Sequence, residues 1–122
     1  MKFTPGDLFH IYNRGNNKQP VFIEKRNYEF FRAKIRNHII KYSELICYCL
    51  MPNHFHLMVQ IKDNNLENEL NSEIGTMLRS YTRAINLQEE RTGSLFQQKT
   101  KAKYVNSHSV ICFNYIHQNP LK

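Results

Sequence analysis

Two histidines separated by one residue, His54 and His56, lie in a segment whose side chains alternate in character. Phe55, Leu57, Val59 and Ile61 form one set, and His54, His56, Met58 and Gln60 the other. A period of two is the pattern of a β-strand, and residues i and i+2 of a strand project from the same face. Two imidazoles placed side by side can converge on one cation. Two alone leave room in its shell for water and substrate, so zinc, manganese and magnesium are all candidates. Phe55, between them, is expected to point into the core and anchor the pair. The pattern is short, and two polar residues on a solvated strand face would read the same way.

A second pair lies in Tyr115-Ile116-His117-Gln118-Asn119-Pro120. On a helix, Tyr115 and Asn119 are four residues apart and share a face. A phenol there can act as a covalent nucleophile, and an amide oxygen can complete a metal shell. A half-buried tyrosine and an asparagine cap at a helix end fit the same residues. His117, two residues from Tyr115, faces away and reads as a helix-end or DNA contact. Among the other tyrosines, Tyr81 falls on an apolar helical stripe and belongs to the core, and Tyr104 is placed to stack on a base.

The 122 residues carry 17 Lys+Arg against 10 Asp+Glu, a formal net charge of +7. A polyanion is the simplest partner for that excess, and nucleic acid the commonest one. Arg14, Lys18, Lys99, Lys101 and Lys103 are the expected phosphate contacts. Asn13 and Asn16 are candidates for reading bases. No apolar run is long enough to cross a membrane and no leader pattern is present, so a non-secreted, cytoplasmic protein without membrane association is expected. Cys47, Cys49 and Cys112 are odd in number and lack a C-x-x-C spacing. That argues against a disulfide framework or a structural zinc site, and all three read as small buried hydrophobes in a reducing compartment.

The elements that must position these groups follow from periodicity. Leu8 to Tyr12 reads as a first strand ending in the turn residues Asn13-Arg14-Gly15-Asn16-Asn17. A helix over about 28–42, with Asn27 as its N-cap, carries Tyr28, Phe31, Ile35 and Ile39 on one stripe. Strands over 45–51 and 54–61 form a hairpin about Pro52-Asn53. A long helix over about 66–89 is expected, with Leu66, Leu70, Ile74, Met77, Leu78, Tyr81 and Ile85 as its apolar stripe. After Gly93, Leu95 to Val105 reads as a fourth strand with Lys99, Lys101 and Lys103 on one face, and a last helix runs from about Ser107 to Asn119. The order β-α-β-β-α-β defines an α+β, ferredoxin-like single domain over 1–122. It has a four-stranded antiparallel sheet, helices packed on one face, and a C-terminal helix. The other sheet face is left partly open.

Met51-Pro52-Asn53-His54-Phe55-His56-Leu57, followed by Gly93-Ser94-Leu95-Phe96-Gln97 and Tyr115-Ile116-His117-Gln118-Asn119-Pro120, resembles the REP-associated tyrosine transposases, which are relatives of the HUH single-tyrosine transposases. His10-Ile11-Tyr12-Asn13-Arg14-Gly15 is similar to that family's first strand and loop. The resemblance runs in order along nearly the whole chain. It implies paired metal-binding histidines at His54 and His56, a nucleophile at Tyr115 and a third, amide ligand at Asn119. It further implies a Mg²⁺ or Mn²⁺ cofactor, single-stranded hairpin DNA as substrate, and cleavage and strand transfer through a 5′-phosphotyrosine. Some such relatives are homodimers that exchange the tyrosine helix and others act alone. They usually carry a further segment after the Asn-Pro motif, so the domain reads as one shortened at its C-terminus. The competing class is a non-catalytic single-stranded DNA or RNA-binding module on the same sheet. A relaxase or replication-initiator nickase shares the paired histidines, but the short chain and the Tyr-x-x-x-Asn-Pro ending do not suit it.

Overall fold

The structure, a computed structural model, describes residues 1–105. Its elements are β1 (Leu8–Arg14), α1 (Lys25–Lys34), β2 (Ser43–Met51), β3 (His54–Ile61), α2 (Glu69–Glu89) and β4 (Lys101–Val105). The strands form one sheet in the order β2-β3-β1-β4, with each neighbouring pair antiparallel. This is the ferredoxin-like arrangement expected from the order of the elements. The expected last helix, with Tyr115, His117 and Asn119, lies outside the described residues.

Alternation sorts the strands into two faces. Ile11 of β1, Leu50 of β2, and Phe55, Leu57 and Val59 of β3 are buried in the main core, against Phe31 and Ile35 of the first helical segment and Leu70, Ile74, Met77, Tyr81 and Ile85 of α2. Phe55 is fully buried and packs its ring against Phe31 at 5.1 Å and Phe96 at 5.7 Å between centroids. Tyr81 belongs to this core as expected. Its hydroxyl donates to the Val21 carbonyl at 2.7 Å, and burial pushes its phenol well above the ordinary range. A buried phenol with a partner escapes the cost of a lost hydrogen bond.

The opposite face carries His54, His56 and Met58 of β3, His10 and Tyr12 of β1, Lys101 and Lys103 of β4, and Cys47 and Cys49 of β2, as the strand registers require. An irregularity between Leu45 and Cys47 inserts one extra residue in β2. Such a bulge re-phases the strand, so Cys47 and Cys49 both face away from the helices. Cys49 is a buried free thiol and Cys47 is buried beside Met58, while Cys112 lies outside the described residues.

Several boundaries differ from the sequence reading, for local physical reasons. Glu24, not Asn27, caps α1. Asn27 sits three positions in, where its Oδ1 accepts from the backbone N–H of Ile23 and Glu24 at 3.0 and 2.8 Å. The helix then widens into a π turn over Ile35–Ile39 in place of continuing to residue 42. The second helix begins at Glu69, because Asn65 is buried and accepts from the Leu70 N–H at 2.9 Å. Leu66 therefore falls outside the stripe and is 80% exposed. The fourth strand is only Lys101–Val105. Leu95 and Phe96 are adjacent and both enter the same core, whereas successive strand residues point to opposite faces. They instead plug the core beside β1, with the Leu95 carbonyl accepting from Asn16 and the Gln97 N–H donating to Arg14. Lys99 is thereby removed from the strand face that carries Lys101 and Lys103.

Phe55 fills the space under the two histidines, so its removal should leave a cavity the sheet cannot close. Phe55→Ala is expected to lose about 3–5 kcal/mol of stability in chemical denaturation. Phe55→Leu should lose clearly less, and equal losses would show that Phe55 does not act as the anchor.

A candidate metal and nucleic-acid site on the open sheet face

The hairpin turn at Pro52-Asn53 sets the site. β3 begins immediately after it, so His54 and His56 are the first and third residues of the strand. Their rings lie 5.2 Å apart between centroids at an interplanar angle of 84°. The register of β1 against β3 places Arg14 opposite His54 and Tyr12 opposite His56. A cavity of about 510 Å³ opens here, lined by His54, His56, Tyr12, Arg14, Lys18 and Lys101 among others.

Both histidines have their Nδ1 atoms engaged within the protein. His54 Nδ1 is 2.8 Å from Asn53 Oδ1, and His56 Nδ1 is 2.9 Å from His10 Nε2. Burial holds His54 below the ordinary histidine range. Burial, with the nearby His10 and His54, brings His56 down to about 4. His10 is likewise lowered to about 4, by burial and then by the Lys103 charge. These imidazoles are therefore neutral near pH 7, the form in which a ring nitrogen can ligate a cation.

Of the five expected phosphate contacts, Arg14, Lys18 and Lys101 border the cavity, while Lys99 and Lys103 do not line it. Lys103 stands opposite His10 on the same face, with its ammonium 6.0 Å from the Tyr12 ring centre. Lys99 is exposed on the loop before β4. The loop after β1 holds Arg14 and Lys18 through an unusual backbone. Asn17 and Lys18 adopt left-handed φ values of 56° and 61°, a region that asparagine tolerates and lysine rarely enters. A Cβ on Gly15 would lie 1.9 Å from the Gln19 carbonyl oxygen, so only glycine fits there.

Asn13, expected as a base reader, lines the cavity with its amide held inside the protein. It is buried, its amide donates to the Gln97 carbonyl and to Thr100 Oγ1, and its Oδ1 accepts from the Arg14 N–H at 2.7 Å. It fastens the loop that precedes β4 to the first strand. Sequence reasoning missed His10 and Tyr12 as site residues. The alternation of Leu8 to Tyr12 already put both on one face; what it lacked was the register that sets that face beside His56.

Among the described residues, no cluster of three or more His, Cys, Asp or Glu side chains could hold a metal ion. Two neutral imidazoles on one face suit a divalent cation and leave the rest of its shell to other donors. Asn119 and Tyr115, the other expected members of the site, lie outside the described residues. No helix among the described residues is long and apolar enough to cross a membrane.

Solved structures share this fold. One, a REP-associated tyrosine transposase bound to a REP hairpin, aligns with a TM-score of 0.65 at 12% identity, over 97% of this chain and 67% of its own. Another, a protein from Deinococcus radiodurans proposed to be a transposase, aligns with a TM-score of 0.63 at 18% identity, over 98% of both chains. No family model matches the sequence, and no curated protein matches it. The class these comparisons define is a fold, the ferredoxin-like sheet shared with these structures.

The lowered histidines make stability depend on pH in a defined direction. An unfolded chain takes up these protons near pH 6.5, and the native state resists until about pH 4. Between those values the unfolded state binds more protons, so stability should fall as pH drops through this window and level off below it. Imidazole NMR titration should place His56 near 4, and denaturant midpoints should decline from pH 7 to pH 4.5. A His56 that titrates near 6.5 would overturn this.

Proposed function

We propose that this chain is a metal-dependent transposase-type enzyme that cuts and rejoins single-stranded DNA at hairpin sites through a 5′-phosphotyrosine. The observation that carries the reading is the neutral His54/His56 pair on a cavity bordered by Arg14, Lys18 and Lys101. A site for an ordinary anion has no need of two uncharged imidazoles among cations, whereas a phosphodiester brought to a metal needs both. The fold shared with a transposase solved on a REP hairpin supports the same substrate class.

In this reading His54 and His56 hold a Mg²⁺ or Mn²⁺ ion, with the Asn119 amide oxygen as the third protein ligand. Such an ion offsets phosphate charge and polarises the scissile group. Arg14, Lys18 and Lys101 grip the neighbouring phosphates, and Lys103 and Lys99 extend that surface toward and beyond β4. Tyr115 is the nucleophile. A free phenol ionises at about pH 10, so the phenolic proton passes to solvent as the oxygen attacks. The Tyr115 oxygen forms a bond to phosphorus, the bond to the 3′-oxygen breaks, and that oxygen leaves with a proton as a free 3′-OH. A 3′-OH on another strand end reverses the exchange, releasing the tyrosine and joining the strands without ATP.

The test is incubation with a labelled single-stranded hairpin oligonucleotide and Mn²⁺, followed by denaturing electrophoresis. A protein–DNA adduct is expected with the native chain and is expected to vanish in Tyr115→Phe and in His56→Ala. An adduct retained in Tyr115→Phe overturns the nucleophile assignment. Binding without any metal-dependent adduct favours a non-catalytic single-strand-binding module. Arg14→Ala and Lys101→Ala should each weaken binding and reduce the slope of log affinity against log salt by about 0.7.

A further inference from the structure

The hydrogen-bonding of the two histidines is not equivalent. A neutral imidazole has one nitrogen that donates and one that accepts. Asn53 Oδ1 can only accept, so His54 Nδ1, at 2.8 Å, must donate to it. His54 is thereby held with its hydrogen on Nδ1 and its lone pair on Nε2. His56 Nδ1 meets another imidazole nitrogen, His10 Nε2, at 2.9 Å. A nitrogen–nitrogen hydrogen bond holds one hydrogen, and either ring can supply it. If His10 donates, His56 carries its remaining hydrogen on Nε2 and that nitrogen cannot ligate. If His56 donates, its Nε2 carries the lone pair, as in His54.

The ring geometry suits a strong in-plane bond. The His10 and His56 planes differ by only 23°, and their centroids are 5.1 Å apart. With the nitrogens 2.9 Å apart, that spacing means the rings meet edge to edge. His10 is in turn held against Tyr12, with centroids 4.6 Å apart and planes within 28°. It projects from β1, two residues before Tyr12, the cross-strand partner of His56. The bond therefore ties the first strand to the paired histidines across the sheet.

We propose that His10 is a positioning residue for His56: it accepts the Nδ1 hydrogen and so presents His56 through Nε2, matching what Asn53 does for His54. The inference rests on the metal site proposed for His54 and His56. In metal sites generally, the group bonded to a ligand's second nitrogen fixes its tautomer and ring plane, and losing it costs about 10- to 100-fold in metal affinity. His10 touches neither the cation nor the DNA in this scheme. It acts only through His56.

The test begins without metal. Long-range ¹H–¹⁵N correlation of the imidazoles in the ¹⁵N-labelled full chain near pH 7.5 should give His56 and His54 both as Nδ1–H tautomers. His10→Leu should move His56 toward the Nε2–H form, and His10→Gln, whose amide oxygen can accept the same hydrogen, should restore it. Mn²⁺ affinity should fall about 10- to 100-fold in His10→Leu and recover in His10→Gln. A native chain with His56 in the Nε2–H form overturns the proposal, and so does a folded His10→Leu with unchanged tautomer and affinity. The native-chain spectrum decides even where His10→Leu does not fold. A native chain with the expected tautomers that binds no Mn²⁺ supports the role of His10 and counts against the metal-dependent function.

Discussion

The antiparallel pairing of β1 with β3 is the constraint on which the rest of the site depends. Because side chains alternate with a period of two, one register places Phe55 under the sheet and His54 and His56 above it. The same register sets Tyr12 and Arg14 beside them. A slip of one residue would invert every one of these positions, burying the imidazoles and exposing Phe55. The register is enforced from below, where Phe55 is enclosed by Phe31 and Phe96, and from the end, where the Gly15 N–H donates to the Asn53 carbonyl at 2.8 Å. Packing on the apolar face thus fixes chemistry on the polar one.

Electrostatics on the open face works by keeping like charges apart in protonation. Arg14, Lys18, Lys101 and Lys103 surround three histidines, and any further positive charge there would be opposed. Burial is the larger cause that holds His10 and His56 down to about 4, joined by the Lys103 charge at His10 and by His10 and His54 at His56. The face therefore combines permanent cations that attract phosphate with imidazoles that stay neutral. Among the described residues, no buried polar side-chain atom lacks a hydrogen-bond partner. The polar network that shapes the site is thus satisfied, and such networks hold one arrangement firmly.

Where sequence reading departed from structure, a local hydrogen bond or burial outweighed periodicity. Asn27 looked like an N-cap because asparagine favours that position, but its amide serves the backbone from inside the first turn, while Nδ2 reaches Gln88 Oε1 at 2.9 Å on the second helix. Leu95 and Phe96 looked like strand residues because they are apolar. Both point inward, so the strand starts later and Lys99 leaves the basic face. Asn13 looked like a base reader because it sits in a polar turn, and its amide is held inside the protein. The Asn27 amide nitrogen, Leu95 and Asn13 reach partners distant in sequence, Gln88, the Asn16 backbone and Thr100, which no window of neighbouring residues contains.

The sequence by itself determined the strand alternation, and through it the fold order, the inward Phe55 and the shared face of His54 and His56. Those follow from short-range periodicity, which side-chain character reports directly. Only the tertiary structure decided which residues stand beside the histidines. His10, Tyr12 and Lys101 come from strands 42 or more positions away from His56 in the chain, and their arrival depends on cross-strand register. The hydrogen bond from His56 to His10 is of this kind. Its existence is set by how two strands align, and sequence spacing carries no record of that alignment.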